Sequence, residues 1–150
     1  MMWLYNGKEI DDTKIPAKSI GFIYLITNNV TGKLYLGRKL LTKASSKTVK
    51  GIKKKTRKDS DWKYYWSSSP DLQLQVAEHG KENFKREILM FCTTKSSLNY
   101  CEEAALYIVG ALENQTKWAN GNIRAKVFRR NIQKTLAEIS EFRKIISDLV

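Results

Sequence analysis

Histidine is almost absent from this chain: there is one, His79, in 150 residues, alongside two cysteines and two prolines. A lone imidazole and no CxxC pair exclude a zinc finger or a structural zinc site. Cys92 and Cys101 read as reduced thiols on apolar faces, since nothing else in the chain suggests an oxidising compartment. No apolar run approaches the roughly 18–20 residues that span a bilayer, so no membrane partner is expected. The opening MMWLYNGKEIDD has no charged region followed by an apolar core, so it is not a secretory signal. A cytoplasmic protein is expected.

Acidic residues are the other scarcity. Against 27 Lys and Arg there are 15 Asp and Glu, a net charge of +12. Such an imbalance says little about fold but much about partners, and a polyanion is the natural one. The bias is local: residues 33–63 hold twelve Lys or Arg and two Asp, whereas residues 101–113 hold three Glu and no Lys or Arg. With 42% hydrophobic and 11% aromatic residues, the chain has enough apolar surface for one packed domain.

Periodicity outlines the elements. Residues 1–10 read as a small hairpin around an Asn6-Gly7 turn. After Pro16, strands are expected over residues 21–27 and 33–37, joined by the turn-forming NNVTG. Residues 40–60 are expected to form a loop or short helix. Ser69 before Pro70 signals a helix start; that helix ends at Gly80, with Leu72, Val76 and Leu74 as candidates for its buried side. His79, at its end, reads as a surface or capping residue. FKREILMF, residues 84–91, reads as a third strand. A helix over residues 97–115 follows, with Leu98, Cys101, Ala105, Ile108, Val109 and Leu112 on one face. A last amphipathic helix spans about residues 132–149, its stripe running through Ile132, Leu136, Ile139, Phe142, Ile145, Ile146 and Leu149. The sum is an α/β (α+β) domain: a small three-stranded antiparallel sheet flanked by helices, with an extra C-terminal helix. Residues 1–130 form the domain; residues 131–150 pack on it or on a second copy.

The most informative stretch is GFIYLITNNVTGKLYLGRK, residues 21–39. It places Tyr24 and Tyr35 on one hairpin, eleven residues apart, beside a lysine-rich segment. Strand side chains alternate faces, so both phenols line one site only in the right register. A four-residue loop, residues 28–31, would pair Thr27 with Gly32 and set Tyr24 opposite Tyr35. On the helix that follows the third strand, at 100° per residue, Glu102 falls within about 60° of the apolar centre and Glu103 points to solvent. An inward carboxylate needs a partner, either a metal ion or a nearby Lys or Arg.

The tyrosine pair, written Gly21-Phe22-Ile23-Tyr24 and Tyr35-Leu36-Gly37, resembles the GIY-YIG nuclease family. The YNGKEI hairpin, DWKYYWSSS, HGKENFKREIL and the acidic helix before an Asn-rich loop resemble phage-encoded, homing-endonuclease-like members of it. The resemblance implies a metal-dependent DNA endonuclease on the GIY-YIG nuclease fold, using Mg²⁺ or Mn²⁺ held by Glu102. It further implies Tyr35 as base or water-orienting group, Tyr24 in support, Gly37 within the motif, and Asn120 or Asn122 as the orienting asparagine. Turn chemistry around Gly121 is the plainer reading of those asparagines. The family arginine falls here on Ser45, which leaves Lys39 or Arg38 as phosphate clamp, with Arg57 in reserve. Lys43, Lys47, Lys50, Lys53, Lys54, Lys55, Arg57, Lys58 and Lys63 are candidates for tracking the phosphates of double-stranded DNA. Trp62, Tyr64, Tyr65 and Trp66 divide between core and base stacking. The missing arginine, and the absence of the histidine that often follows it in the family, keep open an alternative, a non-catalytic basic nucleic-acid-binding module. The C-terminal helix admits a homodimer.

Overall fold

The computed structural model describes residues 2–112, 114–123 and 134–150. Among the described residues, seven strands and three α-helices follow in chain order: β1 (Leu4–Tyr5), β2 (Lys8–Glu9), β3 (Gly21–Asn28), β4 (Leu34–Leu40), β5 (Thr42–Val49), β6 (Ile52–Asp59), α1 (Pro70–His79), β7 (Phe84–Cys92), α2 (Lys95–Ile108) and α3 (Leu136–Ser147). The main sheet is five-stranded, ordered β2-β1-β7-β3-β4. This corrects the expected three strands. The N-terminal hairpin, turned by Asn6 and Gly7 at positive φ, joins the sheet because β1 runs parallel to β7, with Leu4 beside Glu87. Trp3 anchors it: the ring is buried and its Nε1–H donates to the Trp62 carbonyl at 2.7 Å.

Central β3 is apolar on both faces because both are covered. Ile23 and Leu25, with Leu36, face α2 and α3; Phe22, Tyr24 and Ile26 face Trp3, Trp62 and α1. In α1, Leu72 and Val76 are buried while Leu74 is exposed, and the Ser69 hydroxyl accepts the Leu72 N–H. Helix α2 stops at Ile108, well short of residue 115, where Gly110 adopts φ 61°. Ile108 and Leu112 consequently lie exposed, and Leu106 takes a buried place instead. Helix α3 starts later than expected, at a capping box between Thr135 and Glu138. Its Phe142 and Ile146 are buried against α2 residues; Ile132 lies outside the described residues.

The largest departure is residues 40–60. They form neither loop nor helix but an antiparallel two-stranded ribbon, β5 and β6, in full register from Thr42↔Asp59 to Val49↔Ile52. Lys50 and Gly51 take φ of 51° and 76°, the two positive values of a type I′ hairpin turn. Lysine is a poor strand former, which hid the strands, but Thr42, Thr48, Val49, Ile52 and Thr56 supply β-branched residues along both. The ribbon is exposed along its whole length on β6.

Candidate active site

The site begins with the β3–β4 register. Thr27 pairs with Leu34, not Gly32, so Tyr24 stands opposite Gly37 and Tyr35 opposite Ile26. Asn28 causes the two-residue difference. Its side-chain oxygen accepts the N–H groups of Val30 and Thr31 at 3.0 and 3.3 Å, and its own N–H donates to the Lys33 carbonyl. This extends the strand to Asn28 and moves the loop to residues 29–32. An even shift preserves face parity, so both phenols remain on one face, now diagonal neighbours. Their rings stack with centroids 6.3 Å apart and planes 25° apart. A register shift against β7 between Ile23 and Tyr24 marks a bulge beside the site, a common means of aiming a side chain.

Gly37 makes the arrangement possible. A Cβ there would lie 2.5 Å from the Tyr24 hydroxyl oxygen, and Tyr24, only 1% exposed, is wedged edge-on against Trp3 and Tyr65. Gly37→Ala should therefore displace the phenol and cost roughly 1–3 kcal/mol through overpacking. Thermal denaturation and a cleavage assay on the purified variant would check both, with cleavage down about 100-fold if the phenol is used.

Around the pair stand Tyr65, Ser67 and Lys39. The buried Ser67 side chain lies close enough to both phenols to pull each of them down, and its backbone holds a positive φ of 87° that a non-glycine residue adopts only under strain. Lys39 alternates to the tyrosine face of β4 and sets its ammonium 3.8 Å from the Tyr65 ring centroid, where it also pairs with Asp61. Burial pushes the Tyr24 phenol well above its ordinary range, with Tyr35 and Tyr65 adding to the rise. Tyr35 is raised by burial first, then by Tyr65 and Glu102, while Ser67 pulls it back. Neither phenol becomes a base without a cation.

Glu102 arrives from the opposite face. Arg38 follows the inward side of β4 toward α2, and its Nε–H donates to Glu102 Oε2 at 2.7 Å. The lysine-or-arginine partner weighed for this carboxylate is thus present. Burial holds the Glu102 carboxyl above its usual range, more strongly than Arg38 lowers it. Its charge still bears on Tyr35. Because β4 is the edge strand, residues from its two faces, Tyr35 and Lys39 on one and Arg38 with Glu102 on the other, meet at one rim. Asn120 holds that strand from outside: its Oδ1 accepts the Leu36 N–H at 3.0 Å, and its Nδ2–H donates to the Leu36 carbonyl at 2.6 Å.

A family model described as "Putative endonuclease segE, GIY-YIG domain" matches residues 3–123. The chain belongs to the GIY-YIG family. No curated protein and no solved structure matches it. The match places it with endonuclease-type domains and covers the hairpin, the ribbon and α2.

Within this GIY-YIG domain not every expected residue converges. Asn122 is exposed two residues beyond Asn120, and Asn120 spends one bond from each end of its amide on the Leu36 backbone, so it positions β4. Glu103 does not face solvent; it is half-buried, with Oε1 enclosed and no hydrogen-bond partner among the described residues. Ser45 lies in strand β5, not in a helix. Arg57 folds back on the ribbon base, its Nε–H donating to Thr42 Oγ1 at 2.7 Å. Lys63 sits apart from the ribbon and pairs with Asp12. Lys43, Lys47, Lys53, Lys54, Lys55 and Lys58 all line the ribbon, with Lys50 at its turn. Tyr65, read in sequence as a core or base-stacking residue, stands instead against Tyr24 and Lys39; the serine run before Pro70 reads as a cap, and only the fold brings its first member, Ser67, beside the phenols.

The donor set suits one kind of metal. Among the described residues no three His, Cys, Asp or Glu side chains group as ligands. One carboxylate at a rim fits a magnesium ion that keeps most of its waters and takes phosphate oxygens, not a protein-caged ion.

Proposed function

We propose that this GIY-YIG domain is a divalent-metal-dependent DNA endonuclease that hydrolyses a phosphodiester at the rim of β4. One observation carries the reading: the edge strand brings Tyr35, Lys39 and the Arg38–Glu102 pair together from both faces of the sheet. Water attacks phosphorus, the bond to the leaving deoxyribose oxygen breaks, and that oxygen takes a proton from solvent. Lys39 sits where a phosphate oxygen would need its charge balanced, and Arg38 holds Glu102 to the rim. A magnesium ion bound there would supply Lewis-acid charge to the phosphate and acidify the attacking water. Tyr35, having released its own proton to solvent, is the phenolate that accepts a hydrogen bond from that water, takes up its proton during attack and ends as a neutral phenol; Ser67 beside it favours the phenolate form before attack. Tyr24, too buried to exchange protons readily, fixes the Tyr35 ring by stacking.

Supercoiled plasmid incubated with Mg²⁺ should be nicked or linearised and should stay intact in excess chelator. Intact plasmid in both, with binding retained, would favour a non-catalytic module; stronger competition by structured RNA would move the substrate to RNA. Glu102 must be ionised although burial raises its carboxyl, and Tyr35 titrates above the ordinary phenol, so log rate should climb between about pH 6 and 9. A profile flat across that range would remove the phenol from proton transfer.

A further inference from the structure

The β5–β6 ribbon ends in a feature its charge does not explain. Directly opposite residues in an antiparallel pair share a face, so Lys43↔Lys58, Ser45↔Thr56, Lys47↔Lys54 and Val49↔Ile52 lie on one side. Four lysines therefore lead along one face to an apolar pair at the tip. Val49 is 38% and Ile52 64% exposed, beside a turn whose first residue is Lys50. Every other side chain of the two strands is charged, a small alcohol or alanine. Eight residues of strand extend on the order of 26 Å, and a two-stranded ribbon fits a DNA groove.

We propose that the ribbon is a DNA-bending arm whose Val49–Ile52 tip inserts as a wedge between base pairs, while the lysine face holds the flanking phosphates. This inference rests on the reading of the chain as a DNA-acting protein. Charge complementarity chooses the occupant. An apolar tip preceded by Lys47 and Lys54, about 7 Å back along the strands, suits a base step with phosphates on either side. Apolar side chains pushed into a step unstack it and kink the duplex. A β-branched pair beside a hairpin turn can also do no more than stiffen it, and the experiment separates the two roles.

Closed-circular plasmid is relaxed by a topoisomerase that needs no metal, with the protein present and chelator added so that no cleavage occurs. The DNA is then freed of protein and its linking number read on a gel. The unaltered chain is compared with the Val49→Thr/Ile52→Thr double variant at matched occupancy; threonine keeps the β-branched shape and removes the apolar surface. Insertion unwinds DNA, so the unaltered chain should shift the topoisomers and the double variant should lose most of the shift. Ile52→Met, which keeps an apolar tip, should retain it. Equal shifts from the unaltered chain and the double variant, or no shift from the bound unaltered chain, overturn the wedge and leave the endonuclease reading standing. No binding of plasmid by the unaltered chain overturns both.

Discussion

Glu102→Gln will hold duplex DNA as the unaltered chain does and cut it at least about 10²–10³-fold more slowly, the range seen when one electrostatic contributor to a transition state is removed. The amide keeps the shape of the carboxylate and removes its charge. Cleavage rate at saturating Mg²⁺ and affinity in chelator are the two measurements. Stability adds a third with an unexpected sign. Burial raises the folded-state carboxyl above its unfolded value, more than Arg38 lowers it. The folded protein thus binds this proton more tightly than the unfolded chain, so the group weakens the fold at pH values above its folded titration, and stability returns as pH falls through it. Gln carries no such penalty, and Arg38, 35% exposed in its side chain, can turn to water. Melting near pH 8 should therefore be no lower for Glu102→Gln. The variant also removes a charge that raises Tyr35, so its residual activity should shift to lower pH. A variant that melts early and loses binding would mark Glu102 as a structural ion-pair partner only.

Much of this site was legible in the chain because it is local. The two-residue alternation of a strand predicts that Tyr24 and Tyr35 share a face in any register of even offset, so the error in loop position left the conclusion intact. Helix phase pointed Glu102 inward for the same reason. What escaped was long-range. No periodicity shows that β1 will run beside β7, because a parallel pairing across some eighty residues leaves no trace in either strand. Ser67 is another case: its hydroxyl meets both phenols only after residues 61–69 fold across the sheet. The ribbon escaped for a different reason. Its lysines suppress the usual strand signature, and its Lys50-Gly51 turn lacks the asparagine or aspartate that commonly marks a type I′ corner. The fold holds these strands against their composition, with Lys47 facing Lys54 and Lys43 facing Lys58.

That opposition predicts the second large effect. Like charges set directly across a strand pair weaken it, so those lysines are not there to stabilise the ribbon. Replacing Lys43, Lys47, Lys54 and Lys58 by alanine should leave melting unchanged or higher, yet lower the slope of log affinity against log salt by roughly 3–4, at about 0.9 per phosphate contact. At 0.1 M salt that amounts to a loss on the order of 10³-fold, readable by fluorescence anisotropy of a labelled duplex. The opposite face carries Lys53, Lys55 and Arg57, the last turned back on Thr42. A ribbon lying in a groove has a phosphate strand on each side, so Lys53→Ala with Lys55→Ala should also reduce the slope, by up to about 2. A ribbon lying flat on the backbone would show the first reduction without the second. If neither set changes the slope, the charge of the ribbon is a solvated surface and DNA is held elsewhere on the domain.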